Sequence, residues 1–414
     1  MYISKIVLEK IKCFEDLTID LEDDGKIRMW LTVLGNNAVG KSTILKCIAM
    51  GLCDESSAAA LMKEENGEFI RKPHLEGNIR ITLKDNAGDT GLTVVTNLTK
   101  DTKESPEKLR QDTPSDLLLW KDIFMCGYGV QIGDGGGDTF ESYKPLEAVY
   151  TLFNTGSDLQ NTEAIMFKQP LKVRDWLSDM LQEILMLENY PKIKYNTKGM
   201  FVSGPWGKLR VNELSDGYRR VIQFTVDFFG WQVVADRLKS TSDEIKGILL
   251  IDELETHLHP IWQRYIVDRF KKYLPKVQII TSTHSPIVAL GTSDYEGALM
   301  LELDLINENS NRVRDKSVDS NKYKGYTVDQ ILTSSAFDMP IARSGITGDK
   351  MIEFRELFLK EYRDAKEEKR FQELRNELGA EIPGYGELEE DRKRQRELRQ
   401  LIEELNNKLK SSND

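Results

Sequence analysis

Cysteine and histidine are both scarce in this 414-residue chain, four of each, and the shortages narrow its function as much as the motifs do. Cys13, Cys47, Cys53 and Cys126 show neither C-x-x-C spacing nor disulfide density. That excludes a stapled secreted domain or a Cys-rich zinc module and points to the reducing cytoplasm. No apolar run approaches the ~18 residues of a membrane span. Met1 to Lys5 leads straight into a strand pattern rather than a secretory apolar region, so neither export nor a membrane partner is expected. Positive charge is in deficit: 57 Lys and Arg stand against 68 Asp and Glu, for a net charge of -11. This excludes a surface coated in DNA-binding basic residues. What remains, 40% hydrophobic and 30% charged residues, is globular composition. The length suits two to three domains at roughly 150 residues each.

Along the chain, alternating apolar positions (Ile3, Ile6, Leu8, then Leu17, Ile19, Leu21) around Cys13-Phe14-Glu15 predict a hairpin. The apolar stretch Met29 to Leu34 predicts a strand, and Lys41 to about Met50 a helix. Strand-like pieces occur at Ile79 to Leu83 and Leu92 to Val95, and the glycine-rich stretch Gly127 to Gly137 predicts a loop. Hairpins are expected over 192–214, punctuated by Thr197-Lys198-Gly199 and Gly204 to Gly207. The buried-type strands Ile248 to Ile251 and Val277 to Ile280, separated by a helix from about Ile261 to Tyr273, imply a parallel α/β core. After Gly345, charged residues of both signs crowd the chain. Apolar residues there recur at helical spacing in two sets. Phe354, Phe358, Tyr362, Phe371, Leu374 and Leu378 predict one arm; Leu398, Leu401, Ile402, Leu405 and Leu409 predict a second. The expected architecture is a head over 1–345, with an insertion at about 54–190, and a charged helical hairpin over 346–414.

Four segments carry chemistry. Gly35-Asn36-Asn37-Ala38-Val39-Gly40-Lys41-Ser42 fits the phosphate-loop pattern G-x-x-x-x-G-K-[ST], entered by a strand and left by a helix. Its backbone N–H groups, those of Gly35, Asn37 and Gly40 among them, suit phosphate oxygens. Lys41 is placed to reach the β- and γ-phosphates, the Ser42 hydroxyl to ligate Mg²⁺, and Thr43 to hold the α-phosphate. Ile248-Leu249-Leu250-Ile251-Asp252-Glu253 ends a hydrophobic strand in two carboxylates. Asp252 is the expected Mg²⁺ ligand and Glu253 the general base for the attacking water. Leu214-Ser215-Asp216-Gly217 precedes a helix, where Ser215 reads either as an ordinary N-cap or as an outward-facing donor. Ile279 to Pro286 ends a strand in His284, beside the Asp-Glu strand, where a γ-phosphate sensor belongs.

Taken in chain order, phosphate loop, Leu-Ser-x-Gly, Asp-Glu strand and strand-end His, the four motifs resemble the ATP-binding-cassette class of P-loop ATPases. The resemblance implies an α/β P-loop NTPase fold of ATPase-head type with a β-rich lobe, using ATP and Mg²⁺. It also implies that Ser215 and Gly217 act on the γ-phosphate bound by a second copy. ATP would then close a head-to-tail homodimer, or a larger homo-oligomer, with shared sites. With Glu253 and His284 both present, hydrolysis is expected, slow and regulatory. Asp216 stands where the class usually carries a second glycine, a departure found in its repair-type and structural-maintenance-type members.

Some 170 residues separate Ser42 from Ser215 without heptads, unlike the compact transporter ATPases and unlike heads with long coiled coils. Glu255-Thr256-His257-Leu258-His259-Pro260 and Thr283-His284-Ser285-Pro286 are similar to stretches of overcoming-lysogenization-defect-like defence ATPases. Beyond His284 too little chain follows for the TOPRIM nuclease of that group. The arrangement, with Gly325 to Leu332 and the charged hairpin, resembles the ATPase subunit of Septu-type anti-phage systems, including retron-linked ones. That resemblance implies a separate HNH nuclease partner. Two other functions stay open: a recombination- or repair-type ATPase acting on DNA itself, and an ATP-gated signalling module with incidental turnover. Paired readings also remain for smaller features. Gln131 is either the metal- and water-sensing glutamine or a loop residue, and Lys10 and Lys12 either brace phosphates or are solvated. Lys192, Lys194, Lys198, Lys208 and Arg210 either face nucleic acid or form a wet hairpin. The terminal hairpin serves oligomerisation or partner docking. Metal binding by His257 and His259 is disfavoured because no Cys or third His lies nearby.

Overall fold

The computed structural model describes residues 1–382 except 66–67, 86–90, 116, 118–121, 134–135, 197–198, 236, 238–244, 306–312, 338, 340–341, 344 and 361. Two compact units result, Met1–Phe337 and the residues from Asp338 onward.

Two large sheets build most of the first unit. Strands β1 (Tyr2–Ile11) and β2 (Phe14–Asp20) form the expected hairpin, followed by a short ribbon of β3 (Glu22–Asp23) and β4 (Lys26–Ile27). Strand β5 (Trp30–Gly35) leads through the phosphate loop into helix α1 (Lys41–Leu52), and α2 (Glu55–Glu64) follows. Strands β6 (Glu76–Lys84), β7 (Leu92–Thr99) and β8 (Lys108–Asp112) return to the hairpin, giving an antiparallel sheet in the order β2-β1-β6-β7-β8. Burial alternates along β6, with Ile79, Ile81 and Leu83 inward, as a sheet with one wet face requires.

The second sheet is the parallel core. Its strands are β5, β9 (Met125–Tyr128), β13 (Gly247–Ile251), β14 (Val277–Thr283), β15 (Leu299–Leu305) and β16 (Val313–Asp319), in the order β16-β15-β5-β14-β13-β9. All neighbours pair in parallel except β15 and β16. Every residue of β5, β13 and β14 is buried, which explains why none of them carries a charged residue. Helix α1 lies between this sheet and the antiparallel one and is buried except along Ser42 and Lys46, so past its first turn its sequence is apolar on every other face. At Gly51 a Cβ would come within 2.6 Å of Ile81 Cδ1, so the helix and β6 meet where no side chain fits.

Helix α3 (Pro145–Val149) lies at the β9 edge, with Val149 in the core around α1 and Ala148 in the other, and the opposite face of the sheet carries helices α4 (Thr162–Lys168), α5 (Leu171–Ile184), α6 (Asp216–Val234) and α7 (Pro260–Tyr273). A small antiparallel sheet of β10 (Lys194–Asn196), β11 (Gly199–Gly204) and β12 (Gly207–Arg210) joins them. Leu249, Ile251 and Ile279 of the core strands pack there with Val221, Phe224 and Phe228 of α6. Helices α8 (Pro286–Ser293) and α9 (Val328–Leu332) cover the β15 end. Residues 54–190 thus supply strands to both sheets.

The stretch read as a glycine loop begins instead inside strand β9. Gly127 and Gly129 are small because the segment 149–152 crosses them. A Cβ would lie 2.4 Å from Leu152 Cδ1 at Gly127 and 2.1 Å from the Thr151 carbonyl oxygen at Gly129. The first terminal arm also differs from expectation. It is two antiparallel helices, α10 (Gly345–Leu359) and α11 (Ala365–Glu381), the latter started by an Asp364–Glu367 capping box. Phe354 stacks on Phe371 at 4.8 Å, Arg370 grips Glu353 at both ends of its fork, and Tyr362 stands exposed in the connection. The second set, Leu398 to Leu409, lies outside the described residues, as do Thr197 and Lys198. All four cysteines are free thiols; Cys47, Cys53 and Cys126 are buried and Cys13 is half-buried.

One acid is fully enclosed. Asp227 of α6 accepts from Tyr128 Oη at 2.8 Å and from the Gln160 N–H at 3.1 Å. Burial, only partly offset by these bonds, pushes its carboxyl up to about 6 from the ordinary 3.8. The folded form therefore holds a proton that the unfolded chain releases. The stabilisation is complete below about pH 4 and is lost as pH rises through about 6. Asp227→Asn is expected to flatten the fall in urea stability between about pH 4 and pH 7 by roughly 2–3 kcal/mol. Parallel pH profiles for the variant and the parent would refute it.

Candidate active site

Parallel pairing brings three strand ends to one edge. Thr283 of β14 lies opposite Leu34 of β5, and Thr281 opposite Ile251 of β13. The phosphate loop, Asp252-Glu253 and His284 therefore emerge side by side, at the edge where ligands bind in parallel α/β sheets. The loop takes left-handed turns at Ala38 (φ +65) and Gly40 (φ +97). Gly40 admits no side chain: a Cβ would sit 2.4 Å from Cys13 Sγ and 2.7 Å from the Phe14 ring, so the β1–β2 turn presses on the loop. Helix α1 begins with no side-chain cap and no acid in its first turn, which leaves its free N–H groups uncompensated. Lys41 is buried, and its Nζ donates to the carbonyls of Gly35 and Asn36, each at 2.8 Å. Burial lowers its pKa, against the opposing pull of Glu255, Glu253 and Asp252. A cavity of about 270 Å³ opens over this loop, lined by Lys12, Cys13, Asn37, Ala38, Gly40, Lys41, Ser42, Thr43 and Glu253.

Hydroxyl groups of β14 organise the carboxylates. Ser282 Oγ accepts from the Glu253 N–H at 2.8 Å and donates to Asp252 Oδ1. Glu253 adopts a left-handed backbone (φ +49), and its Oε2 accepts from Thr256 Oγ1 at 3.2 Å. Its Oε1 lies 3.2 Å from His284 Nε2. Glu255, which the motif reading left without a role, anchors the histidine. One oxygen accepts from the His284 N–H at 2.7 Å, the other from Thr283 Oγ1 at 2.6 Å. The available signal was the repeated Glu two residues past Glu253. This arrangement can polarise a water with a carboxylate held between a cationic loop and an imidazole.

The remaining expected residues lie elsewhere. Ser215 is exposed at the start of α6 and makes no side-chain cap bond, so its hydroxyl is not spent on its own helix. Gly217 sits under the next loop, where a Cβ would be 2.2 Å from the His257 carbonyl oxygen; His257 itself has φ +62. Gln131 lines a separate recess with Asp216, Arg219, Arg220, Gln223 and His257, away from the phosphate-loop cavity. His259 caps α7 by accepting from the Ile261 N–H at 3.3 Å. Lys12 borders the cavity while paired to Glu65 at 2.9 Å, and Lys10 contributes a backbone carbonyl to Arg71.

Fold and site together give a P-loop NTPase core: a phosphate loop between β5 and α1 on a parallel sheet, with an Asp-Glu strand end beside it. A model described as "AAA domain" matches residues 5–124, and one described as "AAA domain, putative AbiEii toxin, Type IV TA system" matches residues 132–290. The chain is similar to "Septu protein PtuA" of Bacillus mycoides (strain KBAB4). The two are 28% identical over 348 residues, which is 82% of this chain and 45% of that protein. It is also 31% identical over 137 residues to "Retron Vc95 probable ATPase" of Vibrio cholerae serotype O1 biovar El Tor, covering 33% of this chain and 26% of the other. The chain spans less than half the length of these curated relatives. Among solved structures, the head domain of SMC from Thermotoga maritima aligns with 77% of this chain and all of its own, at 15% identity and a TM-score of 0.45.

Replacing Lys41 by Ala removes the one charged donor of the loop. MgATP affinity is expected to fall at least about tenfold in calorimetry, the loss of one charge-assisted bond. An unchanged Kd would remove the cavity from nucleotide binding.

Proposed function

We propose that the chain binds MgATP and hydrolyses it in composite sites shared by two copies, and that its ATP state controls a separate effector in anti-phage defence. The observation that carries this reading is Glu253, held beside His284 and lining the phosphate-loop cavity. Gly35, Asn37 and Gly40 shape the cradle for the phosphates, Lys41 pairs with the β- and γ-oxygens, and Thr43 reaches the α-phosphate. Ser42 and Asp252 supply the hydroxyl and carboxylate donors that suit Mg²⁺, which would neutralise phosphate charge when bound. Glu253 takes a proton from the attacking water. His284, oriented by Glu255, contacts the γ-phosphate. Ser215 and Gly217 face the nucleotide of a second copy; the uncapped Ser215 hydroxyl supports this role. Gln131, which lines a recess with Asp216, belongs to the surface that carries Leu214-Ser215-Asp216-Gly217, the signature sequence on this reading.

The defence role rests on the likeness to Septu and retron proteins. On this reading the effector is an HNH-type nuclease, DNA is met through it or directly, and the assembly works in the cytoplasm as a homodimer or a larger homo-oligomer. Glu253→Gln is expected to bind MgATP like the parent and to turn over at least about 100-fold more slowly, the usual worth of a general base. It should also accumulate an ATP-dependent dimer in light scattering. Parental turnover in this variant would exclude Glu253 as the base, and a monomer at saturating ATP would exclude the composite site.

A further inference from the structure

Arg220 is the most heavily engaged buried cation beside the site, and among the described residues its hydrogen bonds all go to backbone carbonyls, none to a carboxylate. It lies in α6, five positions beyond Ser215, and is 6% exposed. One terminal nitrogen donates to the carbonyls of Glu253 at 3.0 Å and Thr256 at 3.2 Å. The other donates to those of Asp252 at 2.9 Å and Gly129 at 3.2 Å. Four carbonyls from the exit of β9, the exit of β13 and the loop that follows thus converge on one guanidinium. Burial pulls its pKa down to about 10, against the nearby Glu255, Asp252 and Glu253, so it remains charged at neutral pH.

Desolvating a guanidinium without an ion pair is costly, and a planar fork with five donors suits such convergent carbonyls in a way that lysine does not. The geometry has a mechanical meaning. Ser215, the exposed start of the helix, lies about 7–8 Å along its axis from Arg220. Between them Gly217 rests against the His257 carbonyl, which belongs to the same loop. The first turns of α6 and the backbone of Glu253 are therefore tied at two points. Glu253 depends on its tie because its left-handed backbone is held by surroundings rather than by local preference.

We infer that Arg220 is a positioning residue that couples the signature end of α6 to the catalytic carboxylate of the same chain, so that engagement of Ser215 with one nucleotide sets Glu253 for the other. The inference rests on the composite-site reading. Its consequence is that two shared sites fire together: the copy that contributes Ser215 to one site contributes Glu253 to the other, with Arg220 between them.

The test uses the full chain with Arg220→Met and Arg220→Lys, each compared with the parent for MgATP binding, kcat, KM and the Hill coefficient. The parent is expected to have a Hill coefficient above 1. Arg220→Met should bind the analogue AMP-PNP within about threefold of the parent, lose at least tenfold in kcat with little change in KM, and show a Hill coefficient of 1. Arg220→Lys should recover part of the kcat. A parental kcat and Hill coefficient in Arg220→Met, or a Hill coefficient of 1 in a parent that turns over, overturns the coupling. A parent that binds MgATP without turnover instead overturns the reading beneath it. Hydrogen exchange on the parent tests the same tie without a substitution. AMP-PNP with Mg²⁺ should protect residues 253–257 and the first turns of α6 together, and protection of one segment alone overturns the inference.

Discussion

Everything chemical in this chain depends on the parallel pairing of β5, β14 and β13. A parallel ladder aligns strand ends, and these three are buried on both faces, so the charged groups wait until the strands run out while the polar residues inside them, Thr32, Gln278, Thr281, Ser282 and Thr283, are uncharged. Gly35 ends β5, Asp252 follows β13 and His284 follows β14, so all three arrive at one edge. A slip of one residue in β13 would turn Leu249 and Ile251 from one core to the other and swing Asp252 away from Ser282. The buried strands that look featureless in sequence therefore set the spacing of Gly35, Asp252 and His284.

The polar groups at that edge are secured by neighbours of β14. Ser282 relays between the Glu253 amide and the Asp252 carboxylate, while Thr283 and the His284 amide share Glu255. Each bond contributes only about 1 kcal/mol net to stability. Their larger effect is geometric, since a charge-bearing side chain with its partners already in place needs little reorganisation when substrate arrives.

Much of this was legible in sequence because it is local. A phosphate loop between a strand and a helix, or an Asp-Glu pair closing an apolar strand, carries its context within about ten residues. The parallel core, the β1–β2 hairpin and the edge position of His284 followed from such signals. What was not legible depends on distant chain. Gly127 and Gly129 look like loop residues, yet they are small because residues 149–152 pass over them. Glu255 reads as an ordinary loop acid until β14 presents Thr283 and His284 to it. Arg220 reads as half of an Arg-Arg pair on a helix until the β9 and β13 exits converge on it. The helical spacing after Gly345 was real, but it could not show the reversal at Asp364, because the same apolar seam serves a straight arm and a folded pair.

The thiols described with the fold bear on how the molecule can be handled. Cys47, Cys53 and Cys126 are sealed in the core, and burial raises all three well above the ordinary thiol range. Cys13, pressed against the phosphate loop, is pushed up to about 11, so at neutral pH only about one molecule in ten thousand carries the reactive thiolate there. The native chain is thus nearly silent to maleimide dyes. A single cysteine introduced on the surface is expected to report alone, so the chain can be labelled at one chosen position without first stripping the native sulfurs.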